Sequence, residues 1–257
     1  MTRTLLAKEG NLAALVRTPE YRRSNGLPTW VPDWCAEVDE DRIDQELAWL
    51  KYYYRYSTAL GTRVRTRPSG SDSLLDLQGV IVDRVSEIGA LCDDRRYYTR
   101  ASSQWRDTVG RIGQLHEQCY PGGGTYDDVF WRLVLADSIL VPKPNGFVDF
   151  RRCRPGDKEV YNGLVSKGGS TNQEDYLSGR MLFVTEKGYI GLGGPEVTVG
   201  DVVAVFYGGN MPFVLRPLIA QKGRSMQYEY VGQSYIHGIM DGEILRGDDD
   251  FQWITLC

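Results

Sequence analysis

The segment from residue 180 to residue 246 constrains the fold most, because nearly all of it consists of short apolar runs separated by turn residues. Gly188 is free to take a positive φ in one turn, and Gly208-Gly209-Asn210 forms another. Short runs with tight connections predict a small closed or nearly closed antiparallel β-barrel, since closure removes exposed strand edges. The runs lie at residues 181–185, 189–192, 202–207, 213–218 and 228–236.

The stretch at about residues 74–89 predicts one long strand, or two strands with a bulge at Gly79, and we place it first in the barrel. The chain then leaves the sheet for an insertion at about residues 93–178. Topology alone favours this insertion as a lid over one mouth of the barrel. Its two helical patterns lie at residues 102–119 and 127–140, and a basic, irregular stretch follows at residues 147–162.

The two ends of the chain complete the predicted architecture. Residues 3–17 show short helical patterns, and residues 251–256 are expected to return as a last edge strand. The expected fold class is α+β, mainly β. It is an antiparallel barrel of about five to seven strands, drawn from about 74–89 and 180–246, with an inserted helical segment and N-terminal helices. We expect residues 1–257 to form a single domain.

Charge and cysteine usage bear on the environment and the partners. The formal net charge of −4 offers no electrostatic footprint for nucleic acid, and no apolar run approaches the ~18 residues of a membrane span. The five Cys are widely spaced without a C-x-x-C pair, and the N-terminus is too charged for a secretory signal. These features predict reduced thiols in a cytoplasmic protein and leave the oligomeric state open.

The familiar catalytic motifs do not occur in this sequence. There are two His, without H-E-x-x-H, and the segment Gly232-Gln233-Ser234-Tyr235-Ile236 lacks the final Gly of a nucleophile elbow. Gly122-Gly123-Gly124 is not followed by the Lys of a phosphate loop, and no dinucleotide turn occurs. We therefore expect no metal, nucleotide or flavin, while a hydrolase with a dispersed site stays open.

The polar residues of the barrel region each allow two interpretations. His237 and Asp241 form an acid–base pair in one, and a buried structural histidine beside a turn in the other. Arg216 interrupts an apolar strand, where it either pairs with Asp201 or Glu243 or points into a cavity as a cationic donor. Tyr207 and the other tyrosines of these strands either pack or offer hydroxyl donors to a ligand carbonyl.

Two blocks of sequence resemble the C-terminal region of fungal heterokaryon-incompatibility (HET) domain proteins. One is L-F-V-T-E-K-G-Y-I-G-L-G with the later P-F-V-L-R-P and V-G-Q-S-Y-I-H-G-I-M-D-G-E, and the other is W-V-P-D-W at residues 30–34. A weaker block follows residue 75. The HET domain that family members carry upstream of W-V-P-D-W is not seen here. The chain is also similar to the standalone norbornene-forming Diels–Alderase type of sordarin-like diterpenoid pathways.

That resemblance implies a cofactor-free pericyclase acting on a small-molecule terpenoid. Such a reaction needs a shaped apolar pocket and one or two donors aimed at a carbonyl, and pre-organisation supplies up to about 7–11 kcal/mol in favourable cases. The alternative is a non-catalytic recognition or regulatory module. An open cavity favours catalysis, whereas a filled barrel with an exposed apolar patch favours recognition. The expected hydrogen-bonding residues are Arg216, Tyr207, His237 and Asp241, and the expected substrate-binding residues are Trp30, Trp34, Tyr189, Phe213 and Tyr235.

Overall fold

A computed structural model describes most of the chain. The described residues are 2–16, 26–33, 50, 52–92, 98–144, 148–166, 177–219, 226–245 and 251–257. Trp34, one of the expected substrate-binding residues, lies outside them.

The described residues contain eleven strands and four α-helices. The helices are α1 (Thr2–Glu9), α2 (Tyr98–Leu115), α3 (Tyr126–Val134) and α4 (Lys158–Ser166), with 3-10 turns at Ala13–Leu15 and Pro155–Asp157. The first four strands are β1 (Thr66–Arg67), β2 (Leu75–Cys92), β3 (Ser138–Pro142) and β4 (Val148–Arg152). The remaining strands are β5 (Arg180–Thr185), β6 (Ile190–Gly193), β7 (Val202–Phe206), β8 (Phe213–Pro217), β9 (Gln227–Gln233), β10 (Tyr235–Ile236) and β11 (Gln252–Leu256).

Five strands close the barrel, in the order β2-β7-β8-β9-β11 and back to β2. The prediction of a mainly β barrel with helices is confirmed. The expectation of purely antiparallel pairing is wrong, because β9 and β11 run parallel where Leu256 meets Tyr228. Closure therefore depends on the C-terminal strand, which the sequence indicated only as an edge strand.

Strands β5 and β6 lie outside the barrel, contrary to the prediction from their sequence runs. β2 is 18 residues long, and its first part belongs to the barrel while its second part, from Val85 onward, pairs with β5. β6 and β10 extend this outer sheet. An apolar run of about five residues indicates a strand, but its partner depends on contacts between residues far apart in sequence.

The barrel interior is filled by side chains. In β11 the exposed Trp253 alternates with the buried Ile254 and Leu256, as expected for a strand with one face in the core. Phe213 is fully buried, and its ring centroid lies 5.9 Å from that of Tyr230. Barrels of eight strands are only just wide enough to be filled by side chains, so five strands enclose no room for a ligand.

The insertion packs against the outer sheet. The indole Nε1 of Trp105 on α2 donates to the carbonyl of Ala90 on β2 at 2.7 Å, and the Tyr126 hydroxyl of α3 donates to Gly188 at 2.9 Å. The Thr125 hydroxyl accepts from the Asp128 amide and caps α3. These contacts place the helices against the outer strands rather than over a barrel mouth. The stretch expected to be irregular contains β4 and α4 instead.

Candidate functional site

A cleft of about 480 Å³ lies outside the barrel, where β2 passes from the barrel into the outer sheet. Four parts of the chain form its walls: the middle of β2, the loop before α3, the turn between β5 and β6, and the turn after β10. The volume falls in the range of ligand sites in proteins. The lining residues are Val80, Ile81, Val82, Pro121, Gly122, Lys187, Tyr189, Gly238, Glu243 and Ile244.

Two glycines bring the loop before α3 against the turn after β10. Gly238 has a φ of +82°, and a Cβ built there lies only 2.8 Å from the Cα of Gly122. The Tyr120 hydroxyl fixes the same wall, since it donates to the His237 carbonyl at 2.8 Å and accepts from the Ile190 amide at 3.1 Å. This wall of the cleft is therefore held by backbone contacts that only glycine permits.

The turn between β5 and β6 is fastened to the floor of the cleft. The Lys187 amide donates to Asp83 Oδ2 at 2.9 Å, and its Nζ donates to the Val82 carbonyl at 2.7 Å. Tyr189 follows in the same turn and is almost buried, with its ring edge-on to Tyr120 at 5.8 Å. Of the expected substrate-binding residues that the structure describes, Tyr189 lines the cleft.

His237 is partly buried, and its ring faces Tyr235 rather than Asp241. Its Nδ1 lies 3.0 Å from the Tyr235 hydroxyl. Burial, helped by the cations of Arg132 and Arg152, lowers the pKa of His237 from 6.5 to about 4. The Asp241 carboxylate instead accepts a hydrogen bond from Arg152.

An ion network of Arg132, Asp137, Arg152 and Asp241 lies beside this histidine, and no sequence motif indicated it. Asp137 accepts from Arg132 at 2.9 Å and lies 3.4 Å from Arg152, which also reaches Asp241. Burial raises the pKa of Asp137 despite the two neighbouring guanidinium groups. Asp137 and its neighbour Ala136 both have positive φ, which costs free energy in residues with a Cβ. Nothing in the sequence signals these contacts, because Arg152 and Asp241 lie 89 positions apart.

Arg216 does not line the cleft. Its Nε lies 2.9 Å from Asp201 Oδ1, and its Nη2 contacts the carbonyl of Glu196 and the hydroxyl of Thr198. The guanidinium therefore holds the β6–β7 connection against β8. The expected role as a donor to a ligand carbonyl finds no support in this geometry.

Three other expected site residues lie in the core or on the opposite side of the barrel wall. Tyr207 stacks on Phe251 with centroids 4.1 Å apart, beneath the guanidinium of Arg65. The Trp30 indole donates to the Ser73 carbonyl at 3.0 Å. Phe213 belongs to the barrel core.

Tyr235 is likewise fully buried, and its hydroxyl contacts His237 rather than the cleft. The structure thus brings together Tyr189 and parts of the His237–Glu243 turn, and separates the remaining expected residues from the cleft.

The described residues contain no group of three His, Cys, Asp or Glu side chains arranged to hold a metal ion. Among the same residues, no helix is long and apolar enough to cross a membrane.

Residues 165–253 match the family described as the Het-6 beta-barrel domain, and the barrel strands β7, β8 and β9 lie within the matched segment. The chain is also 41% identical, over 275 aligned positions, to "Heterokaryon incompatibility protein 6, OR allele" of Neurospora crassa. The alignment covers 87% of this chain but only 38% of that relative. The resemblance to heterokaryon-incompatibility proteins is confirmed. No solved structure matches the chain.

Proposed function

We propose that this chain is a recognition module related to heterokaryon-incompatibility proteins, and that it binds a partner protein in the cleft beside the barrel. The observation that carries the proposal is the filled interior of the five-stranded barrel, in which Phe213 and Leu215 are fully buried. A barrel without internal space offers binding only on its outside. The outer cleft combines an apolar floor with charged rims, a composition common in protein-binding surfaces.

The bonding of the candidate catalytic groups supports the same proposal. Arg216 is held by Asp201, and Asp241 by Arg152. The partly buried imidazole of His237 faces Tyr235. Each of these side chains makes its hydrogen bonds or ion pairs within the fold. Those bonds must break before the side chain acts on a ligand, so the arrangement favours a structural role over catalysis.

A photo-crosslinking experiment tests the proposal. The full chain is expressed in a filamentous fungus with a photoreactive amino acid at Ile244 on the cleft, and at the exposed Lys143 on the β3–β4 hairpin as the control. We expect a discrete crosslinked protein from position 244 that is absent from position 143. The adduct is expected to disappear in a Val80→Asp background. An adduct of equal yield in that background would contradict the proposal.

A cofactor-free pericyclase is the second candidate, and the size of the cleft favours it. A volume of about 480 Å³ accommodates a small terpenoid, with Val80 and Ile244 as apolar walls and the Lys187 ammonium as a donor for a carbonyl. Incubation of the purified chain with a diterpenoid bearing a tethered diene and an activated alkene tests it. A cyclisation rate and stereochemistry identical to those without protein would exclude this function for that substrate.

A further inference from the structure

Among the described residues, no strand pairs with one edge of β2 at the floor of the cleft. On one side, β11 pairs with β2 only as far as Gly79, opposite Gln252, and β5 begins to pair only at Val85. On the opposite side, β7 pairs with β2 from Gly79 to Arg84. Between Gly79 and Val85, the described residues therefore supply β2 with a neighbouring strand on one side alone. On the other side the turn after β5 covers the far end of this gap, where the Glu186 amide donates to the Arg84 carbonyl at 2.8 Å.

The backbone of Ile81 faces this gap. Gln78 directs its carbonyl to the β7 side, where it accepts from the Tyr207 amide at 3.1 Å. Backbone groups of successive residues alternate between the two sides of a strand, so Val80 also faces β7 while Ile81 directs its N–H and C=O the other way. Ile81 also lines the cleft. The cleft thus offers one donor and one acceptor with the spacing of a β-ladder.

Two exposed side chains of opposite charge border the same gap. Lys187 donates to the Val82 carbonyl at 2.7 Å, and its ammonium carries three donors in all. The Glu243 carboxylate accepts from the Asp241 amide at 2.7 Å. Since both charged groups line the cleft, a ligand with one acidic and one basic side chain complements them.

We propose that the partner enters the cleft as an extended peptide that adds a short strand to the edge of β2 at Ile81. An acidic side chain of this peptide lies near Lys187, and a basic one lies near Glu243. The inference rests on the proposed recognition function and specifies its binding mode. Main-chain hydrogen bonds to the strand edge supply affinity, while the two charges and the apolar floor select the sequence.

Amide hydrogen exchange of the free chain tests the open edge. The Val85 amide is the control, because it donates to the Asp201 carbonyl at 2.8 Å. We expect the Ile81 amide to exchange at least roughly tenfold faster than the Val85 amide. If both amides are equally protected in the free chain, the edge is already occupied and the inference fails.

A displayed library of linear peptides of about ten residues tests the binding mode on the full chain. We expect selected peptides to lose at least about tenfold in affinity when the one backbone nitrogen that pairs with the Ile81 carbonyl is methylated, and little when the other nitrogens are. They are also expected to protect the Ile81 amide. The Lys187→Glu, Glu243→Lys double variant should prefer peptides in which the acidic and basic residues are exchanged.

The outcomes separate this inference from the proposed function. Peptides that bind in the cleft but tolerate methylation at every nitrogen would overturn strand addition and leave recognition standing. The same holds if the library yields no cleft-binding peptide while position 244 still crosslinks to a protein. A crosslink at position 244 that formed equally well in the Val80→Asp background would overturn the proposed function itself.

Discussion

The guanidinium of Arg216 and the carboxylate of Asp201 form a two-point contact on the barrel wall, with Nε 2.9 Å from Oδ1 and Nη2 3.1 Å from Oδ2. Asp201 is almost completely buried, and Arg216 is about one third exposed. The pair joins the loop before β7 to the end of β8, so it belongs to the frame of the barrel.

Replacing Arg216 with Met is therefore expected to destabilise the fold. The variant leaves the Asp201 carboxylate buried without its cation, and we expect the free energy of unfolding to fall by about 2–3 kcal/mol. Urea denaturation followed by circular dichroism measures the change. Lys143→Gln, which removes an exposed ion pair with Asp149, is the matched control and should leave the midpoint unchanged. An Arg216→Met protein as stable as the parent would point to a functional role for Arg216 instead.

The stability of the fold should decrease as the pH falls from 7 to 4 because of His237. The unfolded chain binds a proton near the ordinary His pKa of 6.5, whereas burial and the cations of Arg132 and Arg152 keep the folded pKa near 4. Protons therefore favour the unfolded state across this window, and His237 alone removes about 3 kcal/mol. The Asp128 carboxylate acts in the opposite direction and raises the pKa of His237.

Unfolding free energies of the parent and a His237→Gln variant, measured at several pH values, test this contribution. Carboxylates that titrate in the same range affect both proteins alike, so the difference between the two curves reports His237. Parallel curves would show that His237 takes up its proton as readily in the folded chain as in the unfolded one.

Replacing Tyr120 with Phe should loosen the wall of the cleft. The hydroxyl links the His237 carbonyl to the Ile190 amide, and its loss leaves both groups without this buried partner. We expect a cost of about 1–3 kcal/mol in unfolding free energy and faster hydrogen exchange at the Ile190 amide. Tyr54→Phe, at an exposed position, is the control and should change neither quantity. Unaltered exchange at Ile190 would argue against this link.

Replacing each of two glycines of helix α2 with alanine should change the stability of the fold by different amounts. A Cβ at Gly110 meets no atom within 4 Å, so Gly110→Ala should stabilise the fold by about 0.5–1 kcal/mol. A Cβ at Gly113 would lie 2.7 Å from the side-chain Nε2 of Gln118 and 3.0 Å from the Cβ of Tyr126. This crowding should cancel the gain in stability. Thermal unfolding of both variants provides the comparison. Equal stabilisation by both would mean that α2 and α3 pack less closely than described.

The sequence determined the local structure of the barrel region. The apolar run at residues 202–207 predicted a strand, which the structure forms, and the turn residue Gly188 does take a positive φ. The sequence also carried the resemblance to heterokaryon-incompatibility proteins, since such a resemblance depends on residue order alone. Periodicity and turn chemistry act over a few neighbouring residues, so one sequence is enough to read them.

Only the tertiary structure decided which strands close the barrel and which residues meet at the cleft. β11 closes the barrel by pairing with β2, although about 175 positions separate Ile254 from Leu77. The pairing of Asp137 with Arg152, and that of Lys187 with Val82, depend on the same long-range packing. Such contacts follow from the joint burial of many side chains, so no single stretch of sequence specifies them.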